Sequence, residues 1–197
     1  MPTLAIVEMK FFTRQELFAV ILILGVIVVA SLTNFKVSLR RSRDVQRKND
    51  VRSVTDALVK YSEDFGPFPL SEDGKIVACR GPETKVDEKG RITGLVACEW
   101  GEDALADVSD PSYPPYKEKL PQDPLFKKGF RYLYLSSGRH FQLYASLEGT
   151  DEPEYDAKII ARKLSCGDFI CNFGLSYGVT PLDKSIEEYE NELLEQN

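Results

Sequence analysis

Three sets of residues in this 197-residue chain are of types that do chemistry. Gly174-Leu175-Ser176-Tyr177-Gly178 fits G-x-S-x-G, the setting of a serine nucleophile, which needs a histidine base and a strand-turn-helix to present the hydroxyl. The sole histidine, His140, precedes the serine, and that strand-turn-helix context is missing around residues 174–178. The chain is therefore not expected to be an enzyme. Cys79, Cys98, Cys166 and Cys171 form the second set. Cys79 and Cys98 stand at matching ends of two β-prone pieces and Cys166 and Cys171 close a short loop, which suits two disulfides in an exported domain. Other connectivities stay open, as do free thiols in a reducing compartment. Zinc competes, although neither interval is C-x-x-C and there is one histidine. The third is a single carboxylate, Glu16, at the edge of a long apolar run. A charge is tolerable at a membrane boundary but costs ~2.5–3.5 kcal/mol inside a helix bundle unless paired. It pairs with a neighbour or rests at the interface near Arg14.

The element that must position Glu16 is long and apolar. Leu17 to Phe35 carry no charge, and from Leu17 to Leu32 only Gly25 and Ser31 are not apolar. At ~1.5 Å per residue these nineteen positions cover roughly 28 Å, close to a bilayer core of ~30 Å. The run is apolar all round, unlike the striped helix of a soluble protein. A removable signal peptide is the competing reading, with Lys10 and Arg14 as its basic start and Val28-Val29-Ala30 as a small-residue site, but the run exceeds the usual ~7–15 residues of a signal core. Seven Lys or Arg and two acids follow between Lys36 and Arg52, with no Pro or Gly before Gly66. The helix is expected to continue to about Asp64, roughly 75 Å in all, and Gly66-Pro67 to stop it. Val51, Val54, Leu58, Tyr61 and Phe65 recur at three- and four-residue steps and predict one buried face, with Asp50, Arg52, Asp56, Lys60 and Glu63 opposite.

Charge separates the chain into a basic stalk and an acidic remainder. Residues 1–52 carry nine Lys and Arg against four Asp and Glu, while residues 53–197 carry sixteen against twenty-seven. An acidic globular part repels phosphate, so it is not expected to bind nucleic acid. With 43% hydrophobic residues and 11% aromatic, it has the composition of a folded domain. Short strands are expected at residues 74–79 and 90–98 as a first hairpin, and at 130–135 and 141–147 as a firmer second one, turning at Ser136-Ser137-Gly138. The second hairpin should cover Val51, Leu58 and Phe65. Trp100, Tyr113 and Tyr116 flank a Pro-rich loop as packing residues or, if exposed, an interaction patch. The five Glu between Glu187 and Glu195 read as an exposed helical tail.

Two blocks carry a resemblance. Phe12-Thr13-Arg14-Gln15-Glu16-Leu17, the apolar run, Arg43 to Val51 and Ala57 to Pro69 form the first; Tyr116 to Pro124, Phe130 to Tyr134 and Phe141 to Glu148 form the second. Together they resemble type IV pilin-like proteins, with the nearest flavour that of the G-type major pseudopilin of type II secretion. The resemblance covers about residues 12–69 and 116–148. It implies an α+β fold in which a long N-terminal helix, transmembrane in its first half and amphipathic in its second, packs on a small antiparallel sheet. It also implies a leader removed by a prepilin peptidase before Phe12, and a freed amine that pairs with Glu16 of a neighbouring subunit. Phe11 stands where that peptidase normally meets a small residue, and Met9 offers a second start that shortens the leader. The resemblance places calcium in the loop after the second hairpin, where Asp151, Glu152 and Asp156 would be its ligands. Pro153 interrupts that loop and the family's glycine-rich continuation is missing, so a solvated acidic turn is the preferred reading and no cofactor is expected.

The resulting division is a leader or cytoplasmic N-terminus over 1–11, a transmembrane stretch over 12–35, an amphipathic stretch over 36–65, an extracytoplasmic β-rich domain over 66–160 and a C-terminal extension over 161–197. The basic residues after the span favour the opposite orientation by the positive-inside rule. The resemblance and the cysteines favour the globular part outside, with the basic collar against anionic lipid or solvated beside Asp44 and Asp50. The expected function is that of a filament subunit assembling with other pilin-like chains. An anchored binding module that never polymerises is the rival, favoured by Phe11.

Overall fold

A computed structural model describes residues 13–196. Two compact units divide the chain between Arg41 and Ser42. One helix, α1 (Arg14–Phe65), contributes to both. It runs that far because no Pro or Gly interrupts it after Gly25. It stops at Gly66, whose φ of 84° is a left-handed conformation and whose N–H donates to the Ser62 carbonyl.

In the first unit α1 shows apolar side chains on every side, with Phe18 72% and Val29 67% exposed. The segment is long and apolar enough to cross a membrane, and no part of its most apolar window is buried within the chain.

The second unit is α+β. Strands β1 (Leu70–Glu72), β2 (Lys75–Cys79) and β5 (Val96–Ala97) make one antiparallel sheet in the order β1-β2-β5. Between its last two strands the chain forms a separate hairpin, β3 (Lys85–Val86) with β4 (Ile92–Gly94). The expected strand over 90–98 is thus two strands in two sheets. The break falls at Leu95: Ile92–Gly94 pairs with β3, whereas Val96–Ala97 and the Cys98 N–H return to β2.

The second sheet has the order β10-β7-β6, built from β6 (Leu133–Ser136), β7 (Phe141–Ala145) and β10 (Phe173–Ser176). The β6–β7 hairpin follows the sequence expectation, with Leu133 opposite Tyr144 and Ser136 opposite Phe141. The turn holds Gly138 at φ 88°. The third strand comes from the stretch that reads as an extension. β10 pairs with β7, so β7 is central and all five of its residues are buried. Helix α2 (Ala157–Ala161), a two-stranded hairpin of β8 (Ser165–Cys166) and β9 (Phe169–Ile170), and helix α3 (Ile186–Glu195) complete the unit.

From α1, Val51, Val54, Leu58 and Tyr61 enter one core with Ile76, Tyr134, Phe141, Leu143 and Phe173. Each large apolar side chain fully buried there stabilises by ~1.5–3 kcal/mol. Phe65 departs from expectation. It is the last residue of the helix, is 40% exposed, and turns its ring onto Tyr61 and Tyr116 instead. Trp100 is buried edge-on to Tyr132, whereas Tyr113 is exposed beside Tyr116.

Candidate functional site

The first turn of α1 holds Glu16. Its carboxylate accepts the Thr13 N–H at 2.7 Å, and the Glu16 N–H reaches back to Thr13 Oγ1 at 3.4 Å. This reciprocal arrangement is a capping box, which satisfies two of the helix's otherwise orphan donors. Glu16 is therefore used within its own helix. Phe11 and Phe12, the expected processing positions, lie outside the described residues, as does Met9.

At the start of the second unit α1 carries a buried ionic cluster. Arg47 is fully buried and meets three carboxylates. Its Nε and Nη2 donate to the two oxygens of Asp123 at 2.8 and 3.1 Å, and Nη1 donates to Asp44 at 2.7 Å and to Glu148 at 2.9 Å. Its guanidinium lies 4.5 Å from the centre of the Phe130 ring. Arg43 forks onto both oxygens of Glu148 at 2.7 Å. Asp44, also fully buried, accepts the backbone N–H groups of Glu148 and Gly149 at 2.9 Å each. Asp123 accepts from the Leu125 N–H.

Burial opposes the charge on Arg47, but its hydrogen bonds to Asp123, Glu148 and Asp44 outweigh it and hold the guanidinium firmly protonated. Burial likewise pushes Glu148 up, yet Arg43 and Arg47 bring its pKa below the ordinary value. One turn along, Asp50 accepts the Tyr132 hydroxyl at 2.7 Å. Burial raises the Asp50 pKa despite that bond, and burial together with Asp50 raises Tyr132. Lys48 bridges Glu152 and Glu154 at 2.9 and 3.0 Å. What this arrangement does is mechanical: it ties residues 43–48, in the middle of α1, to two loops 76 to 106 residues away in sequence.

The expected basic collar is thus partly internal. Arg43, Arg47 and Lys48 are committed to Glu148, Asp44, Asp123, Glu152 and Glu154 rather than to lipid or solvent, because the acidic loop comes back to meet them. The same pairing occupies the residues suggested for calcium. Glu152 faces Lys48, and Asp156 caps α2 by accepting the Lys158 N–H at 2.8 Å. Asp151 lies in the loop preceding them, and no three acidic, histidine or cysteine side chains gather for a metal among the described residues.

The cysteines pair as Cys79–Cys98 and Cys166–Cys171, each with its Cα atoms 5.1 Å apart. Gly174 and Ser176 belong to β10. A Cβ at Gly174 would come within 2.7 Å of the Tyr144 ring, so the glycine answers a close strand approach. The Ser176 hydroxyl donates to the Thr180 carbonyl, while His140 Nδ1 meets Glu190 at 2.7 Å. Helix α3, expected as an exposed tail, begins with a Ser185/Glu188 capping box and is fastened through Glu190 to Ser137 and His140.

The ionic cluster escapes a reading of the sequence because charged residues are set aside from the apolar stripe. The stripe Val51, Val54, Leu58, Tyr61 continued backwards by steps of four and three lands on Arg47 and Asp44, and that continuation is the signal. Comparisons of the chain with protein-family models, with characterised proteins and with solved structures give no match.

Proposed function

We propose that the chain is a structural subunit of a type IV pilus or type II secretion pseudopilus, polymerising through its N-terminal apolar helix. The observation that carries this reading is the division of labour along α1. Its second part is locked into an α+β unit, whereas its first part offers apolar side chains that nothing among the described residues covers. A lone span would need lipid only, but a span shared between copies also gives helix-on-helix packing. The two disulfides support a globular unit outside the cytoplasm, where thiols are oxidised. Companion pilin-like chains, membrane lipid and a prepilin peptidase are the implied partners.

An anchor that never polymerises is the second reading, and two observations favour it. Phe11 stands before Phe12, and the Glu16 carboxylate already has a partner in Thr13. Mass spectrometry of membrane-purified protein separates the two. A mature chain starting at Phe12 supports the filament subunit, because a new amine then becomes available to Glu16 of a neighbour. An uncleaved leader sinks it in favour of the anchor.

A further inference from the structure

We infer that the aromatic cluster at the C-terminal end of α1, where Tyr61, Phe65, Tyr113 and Tyr116 gather around Asp64, is a docking surface for an arginine-bearing segment of a partner protein, whose neighbouring apolar side chain enters the groove beside it. The inference goes beyond the filament reading and holds for an anchored module alike, since every residue in it belongs to the second unit.

The cluster does more than pack. Tyr61, Phe65 and Tyr116 meet with ring centres 4.4 to 6.4 Å apart, and Tyr113 extends the row at 5.7 Å from Tyr116. Tyr113 is 46% exposed and Phe65 nearly as much, so aromatic surface is left to solvent. The Asp64 carboxylate, also exposed, is fixed beside these rings. It accepts the Tyr116 hydroxyl at 2.6 Å and is also hydrogen-bonded by Tyr113. A carboxylate has about four lone-pair sites, so two phenols leave it room for a further donor. Next to the cluster runs a groove of about 490 Å³, with Tyr61 and Phe65 as shared walls. Leu70, Val77 and Leu95 make it apolar, and Asp107 is the one charged residue among the described residues that line it.

Charge selects the partner. Asp64 raises the Tyr113 pKa, while burial and then Asp64 raise that of Tyr116, and burial and then Asp107 that of Tyr61. The field at all three hydroxyls is therefore negative, and its complement is a cation. A carboxylate flanked by aromatic rings suits a guanidinium better than an ammonium, because the planar fork bonds the carboxylate and stacks on a ring at the same time. The apolar groove beside it then receives the large side chain next to that arginine. Buried area and a cation are both supplied by one short segment.

The test titrates the full chain, held in nonionic maltoside micelles and isotope-labelled at its tyrosine rings, with acetyl-arginyl-leucinamide, acetyl-lysyl-leucinamide and acetyl-glutamyl-leucinamide. The Tyr113 and Tyr116 ring resonances, assigned with Tyr113→Phe and Tyr116→Phe, are expected to shift saturably with the arginyl peptide. The lysyl peptide should bind more weakly and the glutamyl peptide should leave both resonances in place. Asp64→Asn should raise the Kd for the arginyl peptide about five-fold, the upper range of an exposed ion pair. Tyr113→Leu, which keeps an apolar contact but removes the ring, should raise it about three-fold. Leu70→Ser should weaken acetyl-arginyl-leucinamide and spare acetyl-arginyl-glycinamide. Unaltered emission of the buried Trp100 certifies that each variant is folded. The proposal is overturned by the lack of a saturable shift, by equal affinity for the glutamyl peptide, or by wild-type affinity in both Asp64→Asn and Tyr113→Leu. Self-association of the chain that Asp64→Asn abolishes overturns it too, because the groove would then belong to a second copy. None of these readings depends on where the mature chain begins, so failure of the filament reading is told apart from failure of this one.

Discussion

Arg47→Ala removes the one cation that three carboxylates share. Asp44 and Asp123 have side chains essentially without solvent access, so neither can recover hydration when the guanidinium leaves. Asp44 keeps its two backbone donors and Asp123 keeps one, which softens the loss. Arg43 still neutralises Glu148, itself partly exposed. The net change is one fully buried carboxylate pair left without its counter-ion, in a class where breaking the interaction costs ~3–5 kcal/mol. For a domain of this size that lowers the unfolding midpoint by roughly 6–20 °C. The assay is emission of Trp100, which is buried against Tyr132 in the same unit, followed through thermal or urea unfolding of the full chain in detergent. Arg47→Lys should fall between, since it keeps the charge but cannot fork onto Asp123. Adding Asp123→Asn to Arg47→Met should recover part of the loss. A cost below ~1 kcal/mol for Arg47→Ala, the range of an exposed ion pair, would refute the reasoning, as would a double variant no better than the single one.

Further outcomes follow from the same structure. Glu148 has a lowered pKa, so its contribution is complete above its ordinary unfolded value and is lost as pH falls through the folded one. Glu148→Gln should flatten the loss of stability as pH falls below the ordinary glutamate range, measured by Trp100 emission. Asp50 behaves oppositely. Its raised pKa means that its charge opposes folding at neutral pH, and that opposition is relieved as pH falls through the folded value. Asp50→Asn should leave stability unchanged or raise it by up to ~1 kcal/mol at pH 7. Removing the Cys79–Cys98 disulfide, which spans 19 residues, should cost about 3 kcal/mol, against about 2 for Cys166–Cys171, which spans 5; paired Ser variants in urea titrations check the order. Glu190→Ala should release α3 and raise hydrogen exchange over residues 186–195 about five-fold, leaving the midpoint of the main transition in place.

Local signals were legible wherever one periodicity ruled a segment. The uncharged run from Leu17 to Phe35, the three-and-four spacing of Val51, Val54 and Leu58, and the turn at Ser137-Gly138 each point to a single local solution, and each is found. The cysteine positions suited the pairing that is found but left other connectivities open. What stayed hidden depends on distant segments. Phe173–Ser176 has the look of a G-x-S-x-G fragment and becomes a strand because β7 has a free edge beside it. The run over 90–98 splits because Ile92–Gly94 pairs with β3 while Val96–Ala97 pairs with β2. Phe65 matches the stripe by spacing but, as the last residue of its helix, packs its ring on Tyr61 and Tyr116 and stays partly exposed. Arg47 and Asp44 are concealed by their type, since nothing in a local window announces that Asp123 and Glu148 will arrive to neutralise them.

The placement of β10 has a bearing on biosynthesis. Until residue 176 has emerged from the ribosome, β7 has β6 on one side and a bare row of amide donors and acceptors on the other. For that interval the growing polypeptide carries an adhesive ribbon containing Phe141, Leu143 and Tyr144, open to pairing with any passing extended segment. Closure waits until the chain has been extended from Ala145 to Phe173, so a cell making this protein must shelter a sticky, half-finished sheet through that interval.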